Sequence, residues 1–174
     1  MLGTRTLVHV STAFVHGHNA GTPGSPLPQC LPDLGGWDPR NLYRSARNAS
    51  STSAKPQQKS DGRLKLTGGK KATNAMSDLG YPNTYAFTKA VGEHLLSRAM
   101  GPCRLRLAIV RPSIVGPSWV FPWTGWTGEQ PSTVTGCLVL LLQRVVKTFR
   151  LGSHPAPVIP VDVVSRAIVH SALG

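Results

Sequence analysis

At 174 residues the chain has room for one domain with a core of fair size. Hydrophobic residues make up 40% of it and aromatics 6%, while 18 Gly and 15 Pro are enough to set a disordered stretch beside a folded one. Lys and Arg number 19 against 7 acids, a net charge of +12, and the longest apolar run, Cys137–Leu142, is far shorter than the ~20 residues that cross a bilayer. The N-terminus carries one charge, Arg5, and its apolar stretch is broken by His9 and Ser11, which makes a poor signal peptide. Cys30, Cys103 and Cys137 are odd in number with no close pair, against both a disulfide framework and a zinc site. An intracellular, soluble chain is the expectation.

Residues 1–19 contain LVHVSTAFVHG, an apolar, β-branched run that predicts a strand over 7–15 entering a loop. Residues 20–79 hold Gly, Pro, Ser, Asn and Lys in no period and few large apolar side chains. They predict a disordered basic loop, because so little burial does not offset the entropy of ordering. Leu31, Leu34, Trp37, Leu42 and Tyr43 are the residues there able to dock locally.

From residue 80 the pattern changes. YPNTYAFTKAVGEHLLSRAMG predicts a helix with Pro82 near its start, Asn83 or Thr84 as cap and Gly101 past its end. Phe87, Val91 and Leu95, with Ala90 and Leu96, repeat at helical spacing and face a core. RLRLAIVRP predicts a buried strand over 104–111, closed by Pro112. A loop rich in Trp, Pro and Gly follows, GPSWVFPWTGWTGEQPST. CLVLLLQRVVKTF predicts a helix over 137–149, with Leu138, Leu141, Leu142, Val145, Val146 and Phe149 packed on a core and Arg144 and Lys147 opposite. PVIPVDVVSRAIVHSAL closes with a short strand or turn and a helix. This order of strands and helices implies an α/β fold with a parallel sheet. Two lone parallel strands would leave an apolar edge, so exposed hydrophobic surface and a tendency to associate are expected.

Tyr85 and Lys89 are four apart on the predicted helix and share a face. A phenol has a reference pKa of about 10, too high for proton transfer at neutral pH. An ammonium beside it favours the phenolate, so the pair can give or take a proton at a carbonyl or alcohol oxygen. The spacing alone also fits a Tyr packed on the sheet with a Lys in water.

The segment YPNTYAFTKAVGEHLL, then LAIVRPSIVGPSW, then IPVDVV, resembles the fatty acyl-CoA reductases, members of the extended short-chain dehydrogenase/reductase group. VHVSTAFVHG is similar to the strand that brings that group's catalytic hydroxyl to the site, and WVFPWTGW to the family's Pro-Gly-Trp loop. The resemblance covers roughly residues 5–17 and 80–170 and implies a partial Rossmann-like sheet with a long insertion. By it, Tyr85 is the general acid, and Lys89 holds the nicotinamide ribose and lowers the phenol's pKa. Thr12, with Ser11 beside it, hydrogen-bonds the thioester carbonyl. Pro112, Ser113, Ile114 and Val115 match the turn whose backbone meets the nicotinamide. The implied cofactor is NADPH, and the implied reaction reduces a fatty acyl-CoA to an aldehyde and then a fatty alcohol. The implied location is cytoplasmic or peripheral to the peroxisome or endoplasmic reticulum.

No two glycines are spaced as Gly-x-Gly, so the loop that would cradle a pyrophosphate is not in this sequence. Met1 falls at what resembles the family's fifth strand, which predicts an interior fragment, a truncated gene model or a degenerate copy, and the partners expected are the missing N-terminal half or a second copy of the chain. The other enzyme reading is an extended short-chain reductase acting on a carrier-bound thioester or a sterol. A different class is a non-catalytic remnant or basic interaction module. Arg40, Arg44, Arg47, Lys55, Lys59, Arg63, Lys65, Lys70 and Lys71 lack aromatic interleaving and match no nucleic-acid module, so no nucleic-acid partner is expected. His16 and His18 have no carboxylate or thiol near in sequence, and no metal is expected. Trp119, Trp123 and Trp126 either line an acyl pocket or pack under their loop.

Overall fold

Two apolar runs a hundred residues apart form the first sheet. In the computed structural model, which describes residues 5–19, 30–51, 70–103, 105–129, 133–147 and 156–174, β1 (Thr6–Val10) pairs in parallel with β2 (Arg106–Val110). Thr6 stands opposite Arg106 and Val10 opposite Val110. The ladder continues one residue further, where Ser11 N donates to Val110 O at 2.8 Å. It stops there: Pro112 has no N–H to offer, and the chain after Thr12 coils into a 3-10 segment over Ala13–Asn19. The strand expected over 7–15 is therefore five residues long and begins one residue earlier.

Two units divide the described chain: Met1–Thr12 with Leu105–Gly174, and Ala13–Arg104. The first is an α/β unit. Besides β1 and β2 it holds a second parallel pair, β3 (Ile114–Gly116) with β4 (Val158–Pro160). A Cβ at residue 116 would meet Val158 Cγ1 at 2.5 Å, so only glycine lets these two strands approach. α5 (Val161–Leu173) starts directly after β4 and touches all four strands, with Asp162 and Val164 buried. The parallel sheets and helices bear out the expected α/β, partially Rossmann-like class.

α4 (Thr133–Leu142) departs from expectation. The predicted helix over 137–149 begins four residues earlier and stops at Leu142. Arg144 adopts φ 57°, with Arg144 N donating to Leu141 O and Val145 N to Leu140 O, a Schellman closure with arginine in the place usually taken by glycine. The predicted core packing also fails. Leu138, Leu142 and Val145 are exposed, Leu142 at 83%; among the described residues the main packing partner of α4 is the short strand β3, which covers only part of its surface. Phe149 lies outside the described residues.

The second unit is built on α3 (Thr84–Met100), with α1 (Pro39–Ser51), α2 (Lys70–Asp78) and the 3-10 segment. Phe87, Val91, Ala86 and Ala90 of α3 meet Leu34, Leu42, Ala72, Ala75, Val15 and Tyr81 in one core. Much of residues 20–79 is thus ordered rather than the expected loop, although 20–29 and 52–69 lie outside the described residues. The composition misleads because α1 and α2 supply few contact points, Leu42 with partly buried Ala46 from α1, and Ala72 and Ala75 with partly buried Met76 from α2. The apolar surface that orders them comes from neighbouring helices: α1 packs on α3, and α2 on α1. Of the residues expected to dock, Leu34 and Leu42 are buried and Trp37 partly so, while Tyr43 is exposed. Asp33 Oδ1 accepts from Gly35 N at 2.8 Å, and His94 Nε2 donates to Pro32 O at 2.6 Å, pinning the approach to α1.

Candidate active site

α3 carries the Tyr-x-x-x-Lys pair, and its start is fixed by a cap. Asn83 is extended (φ −157°, ψ 163°) and its Oδ1 accepts from Ala86 N at 2.9 Å, satisfying one orphan N–H of the first turn. The cap puts Tyr85 in the first turn and Lys89 one turn on. Ala86, Phe87 and Ala90 turn into the unit's core, so Tyr85 is 56% exposed and Lys89 half-buried on another face. Lys89 Nζ stands 5.9 Å from the Tyr85 ring centroid, at cation–π range.

The neighbouring Tyr81 has a different character. It is buried, its hydroxyl donates to Val15 O at 2.7 Å, and its ring meets Phe87 edge-on with centroids 5.4 Å apart. Burial first, then the charges of Glu93 and Asp33, push its phenol up to about 12. Tyr81 is a fixed donor that holds the 3-10 segment, and Gly17 (φ 56°) lies against its ring, where a Cβ would come within 3.6 Å.

In the other unit the C-terminal ends of β1 and β2 lie side by side. Ser11 and Thr12 leave β1 there, and Pro112, Ser113, Ile114 and Val115 leave β2 for β3. Ser11 is 2% exposed and Thr12 3%. Ser11 Oγ is buried without a hydrogen-bond partner among the described residues, a polar atom of the kind a ligand satisfies. Ligands of parallel α/β sheets bind beyond this end of the strands.

The loop after β3 is held by a residue that the sequence reading did not single out. Asp162, in the first turn of α5, accepts from Trp119 N, Val120 N and Phe121 N at 2.9, 3.0 and 3.2 Å. These bonds, Trp119's foremost, hold its carboxyl down to about 2. Buried Ser118 closes the other side: its Oγ donates to Trp123 O and accepts from Trp126 N. An acid in a first helical turn was visible in IPVDVV, but partners some forty residues away and all backbone were not. Trp119 and Trp123 project from the loop and are exposed, whereas Trp126 is half-buried and lines a groove beside α5. Among the described residues no three metal-ligating side chains converge, and no helix is long and apolar enough to cross a membrane.

Parallel strand pairs backed by a helix, with hydroxyl residues at the strand ends, make this an α/β chain of the Rossmann type. It matches the male sterility protein family of NAD-binding domains over residues 1–168, and it belongs to that family, within the fatty acyl-CoA reductases of the extended short-chain dehydrogenase/reductase group. It is 37% identical over 92 residues to fatty acyl-CoA reductase 1 of Xenopus laevis, covering 52% of this chain and 17% of that protein. The human fatty acyl-CoA reductase 1 is 38% identical over 84 residues, 48% of this chain and 16% of its own length. The probable fatty acyl-CoA reductase 5 of Arabidopsis thaliana is 30% identical over 170 residues, 95% of this chain and 34% of that protein. The chain thus spans between a sixth and a third of these relatives. No solved structure matches it.

Proposed function

We propose that this chain carries the proton-transfer half of an NADPH-dependent reductase that converts a fatty acyl-CoA to a fatty alcohol through an aldehyde. The observation that carries the reading is the Lys89 ammonium over an exposed Tyr85 ring on a capped helix whose other faces are committed to packing. The nicotinamide end of the cofactor fits the residues present: a buried Ser11 hydroxyl in want of a partner, and the 112–115 backbone beside it. Lys89 would hold the ribose. When bound, each NADPH would supply one hydride, so two molecules in turn would serve the thioester carbonyl carbon and then the aldehyde. Thr12 donates a hydrogen bond to the carbonyl oxygen and so stabilises the charge that develops on it. Tyr85 gives that oxygen its proton, and Lys89 sets positive charge beside the phenolate that remains. The carbon–sulfur bond then breaks with departure of the coenzyme A thiol. The family resemblance brings with it a location in the cytoplasm or at the surface of the peroxisome or endoplasmic reticulum.

The test is titration of the chain with NADPH and with NADH, followed by assay with acyl-CoA. Saturable binding favouring NADPH is expected, lost in Lys89→Ala, with turnover lowered ~10²–10⁴-fold in Tyr85→Phe. Absence of saturable binding, or full turnover in Tyr85→Phe, overturns the reading.

A further inference from the structure

Loop 118–126 and α5 bound a groove of about 930 Å³ within the α/β unit, at the upper end of the roughly 300–1,000 Å³ typical of small-molecule sites. Phe121, Pro122 and Trp126 form one wall, and Val169 and Leu173 of α5 the other. Arg166 lines the same groove, exposed and without an ion pair among the described residues. The one carboxylate in the lining, Asp162, is engaged by three backbone N–H groups and offers the groove little free negative charge. An apolar trough with a cationic edge suits an anionic amphiphile, a hydrocarbon chain with a negatively charged head.

We propose that this groove holds the hydrocarbon chain of a long-chain acyl-CoA, with Arg166 adding positive potential toward the phosphates of its coenzyme A head, which the uncharged pantetheine arm sets beyond the apolar trough. The choice of acyl-CoA over other anionic amphiphiles rests on the reductase reading. The groove itself rests on its shape and lining. Asp162 then acts as a positioning residue, because it sets the loop wall against α5, and Trp126, rather than Trp119 or Trp123, is the tryptophan that meets the chain.

The chain is titrated without NADPH against octanoyl-, dodecanoyl- and hexadecanoyl-CoA below their micelle concentrations, with coenzyme A and palmitate as controls, and read by tryptophan emission. Affinity is expected to rise roughly fourfold for each methylene buried, with coenzyme A weak; palmitate, whose carboxylate sits directly on the chain, bound more tightly than hexadecanoyl-CoA would overturn acyl-CoA as the occupant. Val169 and Leu173 are 57% and 80% exposed, so Val169→Asp and Leu173→Asp disturb little packing. Each should weaken hexadecanoyl-CoA binding about tenfold or more, the equivalent of removing two methylenes. Leu142→Asp, on the exposed face of α4 and outside the groove, should leave it unchanged. Arg166→Glu should weaken binding at low salt and lose that effect at high salt. Affinity independent of chain length, or equally sensitive to Leu142→Asp, overturns the proposal. So does an oligomer that Val169→Asp dissolves while acyl-CoA affinity stays put, which would make the groove a contact between copies of the chain. Chain-length-dependent binding without NADPH-dependent turnover would sink the reductase reading and leave the groove standing. Turnover with affinity indifferent to both groove variants would do the reverse.

Discussion

Two tyrosines four residues apart divide structure from chemistry. Tyr81 gives its hydroxyl to Val15 O inside a core, while Tyr85 faces outward beside Lys89. Tyr81→Phe should lower stability by about 1 kcal/mol, the net worth of one hydrogen bond plus the unpaired carbonyl it leaves, and should spare NADPH binding. Tyr85→Phe should leave the melting temperature within the spread of a surface substitution, roughly ±0.5 kcal/mol, and remove turnover. Alkali separates them further. The Tyr81 phenol ionises near 10 in the unfolded chain and at about 12 in the folded one. Between those values the unfolded state has lost a proton that the folded state keeps, so stability falls as pH rises from 10 to 12. Tyr81→Phe should flatten that part of the unfolding curve, as followed by circular dichroism. If the alkaline slope is unchanged in Tyr81→Phe, the assignment fails. Nothing in YPNTYAFTK distinguishes the two phenols by composition. Helical spacing did place Tyr85 and Lys89 together, because both lie on one short element and need no tertiary partner to be aligned.

Among the elements, those whose rules are local were legible. α3 shows its cap, its period and the glycine past its end, and β2 shows an apolar run closed by proline. α1 and α2 were not legible, since α1 is ordered by a surface that α3 provides and α2 by one that α1 provides. The end of α4 was hidden for a different reason: Arg144 takes a left-handed turn that arginine does not announce. The link between α5 and the 118–126 loop is likewise invisible in sequence, as three of its four groups are backbone. It has a measurable acid signature. Asp162 ionises near 3.8 when unfolded and at about 2 when folded, so in that window the unfolded state binds the extra proton. The stability it contributes is complete above about pH 5 and is lost as pH falls toward 2. Tryptophan emission should shift to the red over that range as the loop comes away from α5. Asp162→Ala should show the shifted spectrum already at neutral pH, and an unshifted spectrum in that variant would contradict the tether.

Across the whole molecule, the described strands pair only two by two, and parallel sheets are ordinarily covered on both faces and at their edges. Leu7, Val10 and Leu105 are exposed along the first pair, and Leu138, Leu140 and Leu142 along α4. A charge of +12 keeps such surfaces apart in solution at low salt and does so less as salt screens it. The chain should therefore bind a hydrophobic dye such as ANS while folded, and associate more readily as ionic strength rises. A preparation that stays monomeric in high salt, dark to the dye, with one cooperative melting transition, would show that these surfaces are covered.

β4 ends at Pro160 and α5 begins at Val161, with no linking residue between them. One residue added at that seam would turn everything after it by about 100° and advance it by roughly 1.5 Å along the helix. The Asp162 carboxylate would then point away from the three N–H groups it holds, and the walls facing loop 118–126 would be replaced by another side of α5. Changes of length in descendants of this gene should thus be filtered out at residues 160–161 and tolerated beyond Trp126, where the loop has left its anchors. The seam acts as a reading frame for the groove, set by where a helix starts rather than by which side chains it carries.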